Sequence, residues 1–152
     1  MKKILSVICC FYFLVYQPSV SAEGDVIITD AWINEAPPTV SVLAGYMTIK
    51  NNSQQNIELI NVASTVFNRI ELHLTRVEDG MAKMQKQESL MIPANSEIRL
   101  MPSSYHLMLF DSEQPLVSGN RVPIELMLSN GDTLLVNAEV RRSDMLQQHN
   151  HH

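Results

Sequence analysis

Cysteine is confined to Cys9 and Cys10, and no residue after them carries a thiol. That absence rules out structural disulfides, a cysteine nucleophile and a blue-copper electron-transfer centre, which needs a thiolate ligand. Positive charge is also scarce. Removing Lys2 and Lys3 with the leader described below leaves 9 basic against 16 acidic side chains, a balance of −7. A surface of that sign repels phosphate backbones, so nucleic acid is excluded as a partner. No hydrophobic run of spanning length follows the leader, so no stable membrane insertion is expected once the leader is removed. Catalytic motifs are missing too. There is no Gly-x-Ser-x-Gly, no His-Glu-x-x-His and no phosphate loop, which points to a binding protein and not an enzyme.

Residues 1–22 read as a cleavable export signal. Lys2 and Lys3 give the positive start, Ile4 to Tyr16 form a short apolar run, and Val20-Ser21-Ala22 offer small residues to a signal peptidase. An uncleaved anchor is the alternative. A lipoprotein reading of Cys9 and Cys10 meets Ile8 where a small residue would be wanted. The expected compartment is the periplasm, and both cysteines leave with the leader. Residues 23–142 have the size of one domain, and 45% hydrophobic composition allows a core without covalent staples.

That domain is a succession of short β-prone runs near Val26–Ile33, Ala44–Lys50, Ile57–Ala63, Arg69–Arg76, Glu97–Met101, Tyr105–Phe110, Val122–Leu128 and Thr133–Val140. Turn residues separate them, among them Asp79-Gly80, Pro102-Ser103-Ser104 and Asn130-Gly131-Asp132. The last of these predicts a tight hairpin, since Asn-Gly tolerates positive φ. No segment holds a 3.6-residue period over three turns. The expectation is an all-β antiparallel sandwich or barrel. Residues 143–152 lack an apolar pattern and form a tail carrying Met145, His149, His151 and His152.

His73 and His106 are the only histidines ahead of that tail, and each has a methionine at a set interval, Met84 and Met108. Strand parity separates these donors from the core. Ile70, Leu72 and Leu74 share one face of their strand, whereas Glu71, His73 and Thr75 share the other. Tyr105, Leu107 and Leu109 likewise oppose His106 and Met108. Two imidazoles and two thioethers make a soft, neutral set that suits Cu(I) better than zinc, calcium or magnesium. Methionine is also ordinary core filler, and the chain has nine, so spacing alone leaves ligand and packing readings both open. The tail donors could form a second, harder site for Cu(II), or be a solvated end or tag remnant without a role.

The pattern His-x10-Met-x21-His-x-Met, carried by His73, Met84, His106 and Met108, resembles that of the PCuAC family of periplasmic copper chaperones. Supporting segments are Asp30-Ala31-Trp32 with Pro37-Pro38, Gly45-Tyr46-Met47, Glu71-Leu72-His73, Asp79-Gly80-Met81, Ile92-Pro93-Ala94 and the run Pro102 to Leu109. The resemblance spans about Val26 to Val140. Leu74 departs from it, where members often carry methionine, and Ser103-Ser104 stand where glycines are common. It implies a cupredoxin-like β-barrel, an exposed Cu(I) site on those four residues, and copper delivery toward cytochrome c oxidase assembly. It also implies a copper-accepting partner such as an oxidase subunit or a Sco-type assembly factor. A copper-sequestering protein, a metal-free immunoglobulin-like interaction module and a copper oxidoreductase are the competing readings.

Overall fold

The computed structural model describes residues 25–37 and 39–142; the leader (1–22) and the tail (143–152) lie outside them. Ten strands form the described chain: β1 (Val26–Asn34), β2 (Val42–Asn51), β3 (Ile57–Ala63), β4 (Phe67–Glu78), β5 (Met81–Gln87), β6 (Leu90–Ile92), β7 (Ser96–Leu100), β8 (Tyr105–Ser112), β9 (Arg121–Leu128) and β10 (Thr133–Arg141). The sheet order is β5-β4-β8-β2-β1-β10-β9-β3-β6, with β7 paired to the far half of β2. β3 also packs against β4, and β6 against β2 and β7, so the sheet curls over its own leucines and isoleucines. Ile33, Ile49, Ile92, Leu107, Leu109, Leu126 and Val140 are fully buried in that core.

The all-β expectation holds, with three differences in detail. β1 and β10 pair in parallel, Trp32 beside Glu139 and Asn34 beside Arg141, within an otherwise antiparallel sheet. β5 and β6 were not expected as strands. Met-Ala-Lys-Met-Gln-Lys-Gln in β5 shows no apolar alternation because it forms a sheet edge with six of its seven residues exposed. β6 is only three residues long, below the length at which alternation is readable.

Two local devices set register beside the donors. Asp79 (φ 53°) and Gly80 (φ 76°) form a two-residue turn between paired Glu78 and Met81. Positive φ at both central residues is the I′ geometry whose twist matches an antiparallel ribbon, and Asp-Gly is a preferred sequence for it. In β1 an extra residue is inserted between Thr29 and Trp32, where Asp30 adopts φ 49°. This bulge re-aims Trp32 so that it lies directly across from Tyr46 of β2. The ring centroids are 4.4 Å apart.

Asn51 is fully buried. Its amide donates to the carbonyls of Gln55, Ile92 and Pro93, and its oxygen accepts from the Ser53 backbone and hydroxyl. Asn51-Asn52-Ser53 has the Asn-x-Ser form of a glycosylation acceptor, but in the folded chain its buried amide is a structural lock between two loops.

The β4–β5 turn yields a test. An alanine at Gly80 has open space around it but must sit at φ 76°. Gly80→Ala is expected to lower the unfolding free energy by about 1 kcal/mol, the cost of a left-handed non-glycine residue. Amide exchange along β5 should accelerate more than along β8, as read by hydrogen-exchange mass spectrometry.

Candidate metal centre

The β4–β8 ladder places His73 directly opposite His106, and Glu71 opposite Met108. On the other side of β4, Thr75 faces Met84 and His73 faces Lys86. Directly paired residues of an antiparallel ladder point to the same face, so all four donors share one face with Glu71, Thr75 and Lys86. The two methionines occupy opposite diagonals about the histidine pair. The imidazole centroids are 6.1 Å apart.

Met84, His106 and Met108 line one cavity of about 270 Å³, together with Val42, Leu43, Ala44, Tyr46, Thr75, Pro102 and Ser103. His73 is not among its lining residues and joins the group through its cross-strand neighbour His106. Larger concavities of about 370 and 560 Å³, around Pro37–Leu116 and Asn52–Asn130, are lined by neither histidine nor methionine. Among the described residues no group of three or more His, Cys, Asp or Glu side chains is arranged to hold a metal. A metal centre on these residues therefore needs the thioethers. The tail donors Met145, His149, His151 and His152 lie outside the described residues.

Although the histidines turn away from the leucine core, they are shielded. His106 is only 6% exposed. Its Nδ1–H donates to the Ser104 carbonyl at 3.0 Å, which leaves Nε2 carrying the lone pair. The same carbonyl accepts the Thr75 N–H at 3.1 Å, tying the 102–104 turn to β4. Ser103 in that turn has φ 66°, the left-handed conformation glycine adopts freely. The glycine preference implied for this turn thus has a backbone cause, and serine fills the position at some strain.

His73 Nε2 lies 2.9 Å from Glu71 Oε2. Its Nδ1 is buried and without a hydrogen-bond partner, the one such side-chain nitrogen or oxygen among the described residues. Glu71 also holds Lys86 at 3.2 Å and Arg69 at 3.4 Å. The His73 hydrogen bond, reinforced by those cations, keeps the Glu71 carboxyl below its usual range. Two imidazole nitrogens and two thioether sulfurs are thus available on one face. The donor set fits a soft, low-coordinate ion and no hard one.

Sequence parity had placed Glu71 on the donor face but could not show its bond to His73. Tyr46 and Ala44, the apolar side of the cavity, escaped it as well; they become neighbours only through the pairing of Ala44 with Met108. Burial pushes the Tyr46 phenol above its ordinary 10.0. A folded pKa raised above the unfolded one contributes stability below the unfolded value and loses it as pH rises. Unfolding free energy should therefore decline in alkaline solution above about pH 10, and Tyr46→Phe should flatten that limb in denaturant titrations.

Known proteins share this strand arrangement. A family model described as "Putative lipoprotein LpqE-like" matches residues 26–140. The Cu(I) form of DR1885 from Deinococcus radiodurans is 32% identical, with a TM-score of 0.66 over 83% of this chain and 84% of that one. The copper-bound PCuAC domain from PmoF2 has a TM-score of 0.67 at 18% identity, covering 78% of this chain and 94% of the domain, a likeness of fold. "Putative lipoprotein Lxx21020" of Leifsonia xyli subsp. xyli is 29% identical over 125 residues, 82% of this chain and 74% of that protein. The cupredoxin-like β architecture expected from the sequence is the one found.

Proposed function

From the premise that the chain belongs to the LpqE-like family, we propose that it is an exported copper-binding chaperone holding one Cu(I) ion on His73, Met84, His106 and Met108. The observation that carries this reading is the register. Four soft donors from three adjacent strands share one face, and three of them line one cavity. The Cu(I)-bound relative supports the choice of ion. The lipoprotein names of one relative and of the family model support export, and no helix among the described residues is long and apolar enough to cross a membrane.

Cu(I) has a filled d shell and accepts low or tetrahedral coordination, which two nitrogens and two sulfurs satisfy without adding ligand charge. Thioethers favour the reduced ion and compete with no proton. Release follows from the exposure gradient. Met84 is 61% exposed on the edge strand, whereas His106 is 6% exposed on an inner strand. An incoming thiolate or imidazole therefore reaches the metal from the β5 side and displaces Met84 first. The recipient in this reading is a copper-accepting protein of oxidase assembly, an oxidase subunit or a Sco-type factor. A buffering role without delivery is separated from it by presenting the loaded protein to an apo-acceptor.

Anaerobic Cu(I) titration with X-ray absorption should give one ion with two nitrogen and two sulfur neighbours. His106→Ala should weaken binding roughly 100-fold, and Met84→Leu nearer tenfold, each factor of ten being about 1.4 kcal/mol. Unchanged affinity in His106→Ala would remove the assignment.

A further inference from the structure

We propose that Glu71 is the positioning residue of this site: its carboxylate fixes the tautomer of His73 so that Nδ1, and not Nε2, is the nitrogen offered to copper. The inference rests on the Cu(I) reading above and names an atom and a residue which that reading leaves open.

Three observations carry it. Glu71 Oε2 stands 2.9 Å from His73 Nε2. An ionised carboxylate only accepts hydrogen bonds, so the ring proton must reside on Nε2 and the lone pair on Nδ1. Second, that Nδ1 is buried and unpartnered. A buried polar atom left unpaired is destabilising, a penalty that a metal bond removes. Third, Glu71 is itself held. Its side chain is 14% exposed, and Lys86 and Arg69 occupy its Oε1 edge at 3.2 and 3.4 Å. With both oxygens engaged it is poorly placed to be a ligand, and a hard anion would be the wrong donor for Cu(I).

The two histidines are then set by different means. His106 gives its Nδ1–H to a backbone carbonyl, so its tautomer is set by the main chain, and it offers Nε2. His73 depends on a side chain two residues before it on the same strand face. A carboxylate behind a metal-binding imidazole orients the ring and raises its basicity, and losing such a partner typically weakens metal binding 10–100-fold. Glutamine at position 71 could instead donate to Nε2 and drive the proton to Nδ1, masking the proposed donor.

The test reads the tautomer directly. Long-range proton–nitrogen correlation spectra of the metal-free full chain, at mildly alkaline pH, should show His73 in the Nε2–H form and His106 in the Nδ1–H form. In Glu71→Leu the His73 Nδ1–H population should rise with the His106 signals unmoved. Cu(I) affinity, measured by competition with a chromophoric chelator, should fall roughly 10–100-fold. Glu71→Asp should recover part of both readouts. A wild-type His73 in the Nδ1–H form overturns the proposal, and that measurement needs no variant to fold. A Glu71→Leu protein with His73 unchanged and full affinity also overturns it. If His106→Ala abolishes tight binding while the Glu71 variants do nothing, the positioning role alone fails. If His106→Ala binds normally, the copper site itself fails.

Discussion

The antiparallel ladder between β4 and β8 is the constraint on which the rest depends. It aligns His73 with His106, Leu72 with Leu107 and Ile70 with Leu109 in a single register. The fully buried Leu107 and Leu109 lock that register, because a slip of one residue would drive the imidazoles into the core and the leucines onto the outer face. The core therefore does more than stabilise the domain. It sets the alignment of two polar residues on the opposite face of the same strands.

Parity and spacing made half of this arrangement legible. Leucines alternating with His73 in one strand and with His106 in another announced two faces, and the Asp79-Gly80 pair announced a turn. The missing half was which strands are neighbours. Residues 73 and 106 lie far apart in the chain, and their pairing is decided by a crossover that no local pattern encodes. β5 was invisible for a different reason. A strand exposed on both faces carries no alternation, since nothing on either side selects apolar residues. Met84 was identified from its interval to His73, not from any sign of a strand around it. The parallel β1–β10 contact was equally unreadable, because both strands look like ordinary half-buried segments and only the closure of the sheet brings their ends together.

Polar residues that the hydrophobic pattern cannot place turn out to organise the surroundings of the donors. Asn51 ties one pair of loops through five hydrogen bonds. Ser104 ties the turn before β8 to β4 through a carbonyl shared by Thr75 and His106. Glu71 gathers His73, Lys86 and Arg69 from two strands. Each is satisfied by several partners, and a fully satisfied polar network rigidifies what it spans. His73 Nδ1 is the exception within this pattern. Among the described residues the other buried side-chain polar atoms are paired, and this one imidazole nitrogen keeps a free lone pair on a shielded face.

On the Cu(I) reading proposed above, the placement of the donors toward the sheet edge and not in the barrel interior has a physical reason. A bound Cu(I) with four neutral donors keeps its positive charge, and burying an uncompensated charge deep in an apolar core is prohibitive. At the edge, the ion would have apolar walls on one side, from Val42, Ala44 and Tyr46, and an exposed methionine on the other. Such walls would limit access by water and by harder ligands, and so would favour the monovalent ion over the divalent one on that reading. The exposed side, across β5, is the approach that the proposed release would use. On the function proposed above, retention and release would need no moving part: the inner histidines would hold, the outer thioether would yield, and the order of the strands would set the order of release.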